Sequence, residues 1–150
     1  MLASMLPTMF EIPRGMIISW HPSTSCLLLP SIQVCNPDEH LHFLSNYLTE
    51  LSLLDYNMLG FLPSVIAAAG IFLANLILKR TPWDANLQHF SAYVPADISS
   101  CVVALASVHQ AVSSRTQLAA IRDKYAHARF HEVSRLPPFA ITSFGVAVYS

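Results

Sequence analysis

Eighteen residues without a charge, Phe61 to Leu78 in "FLPSVIAAAGIFLANLILKR", constrain this chain more than any other feature. The run approaches the length of a membrane-spanning helix, about 20 apolar residues. As a helix it is apolar all the way round, so it belongs either in lipid or at the centre of a protein core. Composition keeps both readings open. Hydrophobic residues make up 53% of the 150 and charged residues 11%, whereas soluble domains carry about 25% charged residues. A chain so short of charge either sits partly in lipid or shows apolar surface that another domain or a partner covers.

The flanks differ in character. Residues 1–35 hold prolines 7, 13, 22 and 30, with Pro37 just beyond, and no steady hydrophobic period. They read as an irregular or disordered arm. "MLASMLPTMF" has no positive start and Glu11 follows at once, so it is a weak secretory signal. The apolar patch at 16–32 is broken by Pro22 and Pro30 and makes a poor span. Net charge is -1 with scattered basic residues, which is no nucleic-acid footprint. Cys26, Cys35 and Cys101 are odd in number and lack metal spacing, so reduced thiols are expected.

From Asn36 the pattern becomes helical. "NPDE" offers Asn36 as N-cap, Pro37 as first helical residue and Glu39 at the capping-box position. Leu41, Leu44, Leu48 and Leu51, broadened by Phe43, Tyr47 and Leu54, predict an amphipathic helix over 37–54. Asp55, Asn57 and Gly60 favour a break, and Pro63 opens the apolar helix, predicted over 62–79. "TPWD" offers Thr81 as cap, Pro82 first and Asp84 third, for a short helix over 82–92 with Leu87 and Phe90 or Tyr93 inward. A fourth helix starts at Pro95, with Asp97 near its positive end. Ile98, Val102, Leu105, Val108 and Val112 form its stripe. "SSRT" breaks the chain. A fifth helix over 117–129 places Leu118, Ile121 and Tyr125 on one face. A period-2 pattern occurs only in "FGVAVYS" at the end, and no long repeat is present. An all-α bundle around one buried apolar helix is the expected architecture.

Several features weigh against lipid. Lys79 and Arg80 flank one end of the run, but "LLDYNMLG" flanks the other, without the Lys/Arg asymmetry of a span. The neighbouring helices have polar faces that need water. "AAAG" (67–70) permits close helix approach, which suits either setting.

No residue reads as catalytic, cofactor-binding or metal-ligating. His40 and His42 are two apart on a helix and point different ways. His127 and His131 are four apart and can share a helix face, like half a zinc site, but no third ligand is near. No nucleophile elbow orders the Ser, His and Asp residues. Four glycines (15, 60, 70, 145) make no phosphate loop. Asp55 and Tyr56 read as a helix-end cap and a packed aromatic. Arg122, Asp123, Lys124 and Tyr125 read as a solvated mixed-charge face with one inward ring. Trp83 is expected to pin the turn into the third helix.

Three stretches in order, "FLSNYLTELSLLDYNMLGFLPSVIAAAGIFLA" (43–74), "PWDANLQHFSAYVPADISSCVVAL" (82–105) and "LAAIRDKYAHARFHEV" (118–133), resemble the C-terminal cyclin box of A-type mitotic cyclins, plant or algal members above all. The resemblance covers about 37–133. It implies a five-helix cyclin fold with the second helix, 62–78, as hub, and so favours the core reading. It implies a regulatory role: binding a cyclin-dependent protein kinase and holding a kinase helix in its active position, with no chemistry done by the cyclin itself. His89 falls where the family often has histidine, in a structural role.

Cyclins of this type have two boxes, and the first carries most kinase contacts. No motif of the first box is found here, and the tail 136–150 does not resemble the family. The chain therefore reads as a second box alone, of the kind a truncated or mis-spliced reading frame yields. The expected layout is an arm at 1–35, a cyclin-fold domain at 36–133 and an irregular tail at 134–150. The expected function is a non-enzymatic cyclin-like module in the nucleus and cytoplasm, unable to activate the kinase alone. Its uncovered apolar surface is expected to favour self-association. The alternative is a small single-span membrane protein anchored by 61–78.

Overall fold

The computed structural model describes residues 38–112, 114 and 119–140. The expected arm, Leu118 and the "FGVAVYS" segment lie outside the described residues. Among those described there are five α-helices and no strand: α1 (Glu39–Ser52), α2 (Pro63–Ile77), α3 (Ala85–Ser91), α4 (Pro95–Val112) and α5 (Ala119–Tyr125). Three 3-10 turns, Tyr56–Gly60, Ala128–Phe130 and Val133–Arg135, complete the elements.

Helix α2 is the hub. Every residue from Ile66 to Asn75 is buried, so no face of those turns meets water. Helices α1 and α4 pack against it, and α1 also meets α5 and the Val133–Arg135 turn. The two predicted stripes are the walls. Leu41, Leu44, Leu48 and Leu51 of α1 are buried, as are Ile98, Val102, Leu105, Val108 and Val112 of α4. Each such side chain contributes about 1.5–3 kcal/mol by leaving water. Gly70 lets α1 approach: a Cβ there would stand 3.0 Å from Thr49 Oγ1 and 3.5 Å from the Ser45 carbonyl. Thr49 cannot easily yield, because its hydroxyl donates to Ser45 O at 2.8 Å.

The span alternative gains nothing from this arrangement. Helix α2 has 15 residues, about 22 Å at 1.5 Å per residue, against a hydrocarbon core of about 30 Å. No single described helix is long and apolar enough to cross a membrane. Helices α3 and α4 meet the length and composition only as a pair bent by 91°.

The helix ends differ from the predicted ones. Asp38 caps α1, its carboxylate accepting from His40 N at 3.0 Å, while Asn36, the expected cap, lies outside the described residues. Asp84 is itself the cap of α3, accepting from Leu87 N at 2.7 Å, which displaces Thr81 and starts the helix at Ala85. Helix α4 begins as expected, and Asp97 accepts from Val94 N at 3.1 Å, half of a capping box. Helix α2 stops in a Schellman motif. Arg80 N donates to Asn75 O and Lys79 N to Leu76 O, with Lys79 left-handed at φ 56. Helix α5 ends at Tyr125, four residues early, and the chain turns through His131 and Glu132, both left-handed. Beyond residue 133 the chain still packs: Leu136 and Phe139 lie against the core, and Gln110 Nε2 donates to Phe139 O at 3.1 Å.

Candidate functional site

Where the hub hides its apolar residues, the connector between α1 and α2 displays them. Leu53, Leu54, Tyr56, Leu59 and Leu62 are all exposed, Tyr56 at 85% and Leu59 at 72%. The expected inward positions of Leu54 and Tyr56 are thus corrected. The reason is local. Ser52 ends α1, and Asp55 caps the Tyr56–Gly60 turn by accepting from Asn57 N and Nδ2, both at 2.9 Å. Met58, 1% exposed, anchors the turn in the core. In a 3-10 helix residues three apart eclipse one another, so Tyr56 and Leu59 share the face opposite the anchor. Leu62 continues the three-residue spacing. Phe90 on α3, predicted as one of two inward choices, is also exposed at 46%, while Tyr93 packs on the core. The connector is therefore a rigid, capped and anchored pedestal that presents large apolar side chains to solvent. Surfaces of this kind mark docking sites.

The polar contacts serve to hold elements together. Glu50 of α1 accepts from Lys124 Nζ at 2.7 and 2.9 Å and from Tyr125 OH at 2.8 Å, tying α5 to α1. Burial, with the Glu50 carboxylate beside it, drives the Tyr125 hydroxyl far above its ordinary range. The face expected to be merely solvated is thus a cross-helix link. Arg80, at the end of α2, pairs with Asp38 at the start of α1. Trp83 joins two segments, its Nε1 donating to Tyr93 O at 3.2 Å and its ring 6.0 Å from that of Phe72.

The histidines separate. His127 caps the Ala128–Phe130 turn and His131 follows it, so no helix face joins them as predicted. His131 instead pairs with Glu39 at 2.8 Å, its ring 4.4 Å from that of His40. His42 bonds Asn46 Nδ2 at 3.2 Å, and burial lowers its pKa. Among the described residues no group of three or more His, Cys, Asp or Glu is placed to hold a metal ion. Cys101 is buried, which pushes its thiol up to about 12, so it stays protonated at neutral pH.

His109 escaped the sequence reading. It lies on the inner face of α4, 3% exposed, edge-on to Tyr47 with ring centroids 5.7 Å apart. Its Nδ1 has no hydrogen-bond partner among the described residues. Burial depresses its pKa to about 4, so it is neutral in the folded protein at pH 7. Its place three residues before the end of the α4 stripe, between Val108 and Val112, was the available signal.

A hub helix with ten consecutive buried residues, gripped by two amphipathic helices, is the arrangement the resemblance implied. The family model for the cyclin C-terminal domain matches residues 26–139. The chain belongs to the cyclin C-terminal domain family. Its relatives include Cyclin-A1-2 of Oryza sativa subsp. japonica, 40% identical over 131 residues, covering 82% of this chain and 27% of that protein. Cyclin-A2-1 of the same organism is 44% identical over 102 residues, with 67% and 21% covered. Cyclin-A2-2 of Arabidopsis thaliana is 42% identical over 110 residues, with 71% and 25% covered. The chain thus spans about a quarter of the length of these curated relatives.

Proposed function

We propose that this chain is a cyclin-type regulatory module that docks on a cyclin-dependent protein kinase in cell-cycle control, in the nucleus and cytoplasm, and that these 150 residues do not activate the kinase by themselves. The single observation that carries the docking role is the capped and anchored connector, with Leu53, Tyr56, Leu59 and Leu62 all turned to solvent. Membership of the cyclin family supports the identity of the partner. The short share of the relatives that the chain spans supports the lack of independent activation. The module acts by binding, without enzymatic chemistry of its own, and uncovered connectors also bring copies of the chain together.

Purified protein mixed with a cyclin-dependent kinase and histone substrate tests this. The expected result is retention of the kinase by immobilised chain with no rise in phosphate transfer. Strong activation at micromolar protein contradicts the second half of the proposal. Failure to retain any cyclin-dependent kinase contradicts the first. A fluorescent fusion found outside nucleus and cytoplasm contradicts the assigned compartments.

A further inference from the structure

The short loop between α2 and α3 presents one side chain in an unusual way. Thr81 is exposed, lies in no regular element, and its hydroxyl has no hydrogen-bond partner among the described residues. Both neighbours are anchored by one buried residue. Asn75, 4% exposed, accepts from Arg80 N at 2.9 Å through its carbonyl and donates to Pro82 O at 3.4 Å through Nδ2. Of the ten prolines in the chain, Pro82 alone follows a serine or threonine. Proline biases the residue before it toward an extended backbone and brings no N–H of its own. Thr81 is thus an accessible hydroxyl, held outward, followed by a ring that a cleft can read.

Its surroundings favour an added anion. Lys79 and Arg80 immediately precede it. The Arg80 guanidinium, 42% exposed in its side chain, pairs with Asp38, the cap of α1. We propose that Thr81 is a phosphorylation site for a proline-directed protein kinase, and that the phosphate takes Arg80 from Asp38 and so releases the clasp between the end of α2 and the start of α1. In the reaction the terminal phosphoryl of a nucleoside triphosphate forms a bond to Thr81 Oγ1. Its bond to the bridging oxygen breaks, the nucleoside diphosphate leaves, and the hydroxyl proton passes to the base of the kinase. The product carries nearly two negative charges and three acceptor oxygens beside two cations, whereas Asp38 offers a single charge. This regulation is separate from the kinase docking proposed above and does not depend on it.

The test uses the full chain with ATP and a set of purified proline-directed kinases, read by mass spectrometry. Incorporation of a single phosphate mapping to Thr81 is expected. Thr81→Val loses it, Thr81→Ser keeps it, and Pro82→Ala loses it while retaining the acceptor. Circular dichroism checks that each variant is folded. The second reading is the carboxyl titration of Asp38 by NMR. That midpoint is held low by the His40 backbone N–H and by Arg80; it moves upward on phosphorylation, as it does in unmodified Arg80→Gln. No transfer to the folded wild-type chain overturns the site, as does equal transfer to Thr81→Val. An Asp38 midpoint unmoved by the phosphate overturns the release of the clasp.

Discussion

Helix α2 and the connector that precedes it are both rich in large apolar residues, yet they behave in opposite ways. In α2 ten residues in a row are buried. In residues 53–62 only Met58 is buried, while five large apolar side chains stay exposed. The difference lies in how each segment is punctuated. Pro63 starts a helix that runs uninterrupted between α1 and α4, so every face finds a wall. Asp55 and Gly60 limit the connector to one 3-10 turn, which can bury only one side. Apolar residues on the other side have no wall within the described residues. Hydropathy alone does not separate the two segments; caps and period do. One segment holds the fold together, and the other is free to meet a partner.

The largest effect belongs to the hub. Leu73, fully buried, loses roughly 3–4 kcal/mol of stability on replacement by alanine, through lost transfer energy and the cavity left behind. Urea unfolding measures this, and a loss under about 1 kcal/mol would break the contrast between the segments. Next comes acid. Because the folded pKa of His109 is depressed from 6.5 to about 4, its contribution is complete above pH 6.5 and disappears as pH falls toward 4. That amounts to roughly 3 kcal/mol, at 1.36 kcal/mol per pH unit. Half-buried His42, its pKa also lowered by burial, acts in the same direction. Urea midpoints at pH 7 and pH 4.5 should differ accordingly, and His109→Gln should flatten the slope between them. Smaller again is Gly70→Val, expected to cost about 2 kcal/mol by forcing α1 away from α2. Melting temperature measures it, and an unchanged value would mean that the close approach at Thr49 carries no strain.

The hub and its walls were legible because they are periodic. Leu41 to Leu51 and Ile98 to Val112 repeat at helical spacing, and an uncharged run flanked by such stripes must lie between them. The helix ends were legible only in kind. "NPDE" marked a helix start, but that the Asp38 carboxylate reaches His40 N was visible only in the structure. In "TPWD" the carbonyl of Pro82 is already taken by Asn75 and Trp83 leans on Phe72, so the helix begins after Asp84. The early end of α5 was not legible, because His131 and Glu132 adopt left-handed geometry without a glycine to announce it. Nor was the Glu50 link, since its partners lie 74 and 75 residues away in sequence. The candidate site was visible as excess hydrophobicity without a place. Its place depends on Tyr56 and Leu59 being three apart on a turn that sequence period marked only as a break.

The central claim is that the hub serves folding and the connector serves association. Sedimentation equilibrium of the wild-type chain and of the double variant Tyr56→Ser, Leu59→Ser tests it most directly. Both positions are exposed, so the double variant should keep its unfolding midpoint, each change falling within about 0.5 kcal/mol. The wild-type chain should self-associate and the double variant should sediment as a monomer. Equal association of the two proteins, or unfolding of the variant, would contradict the account.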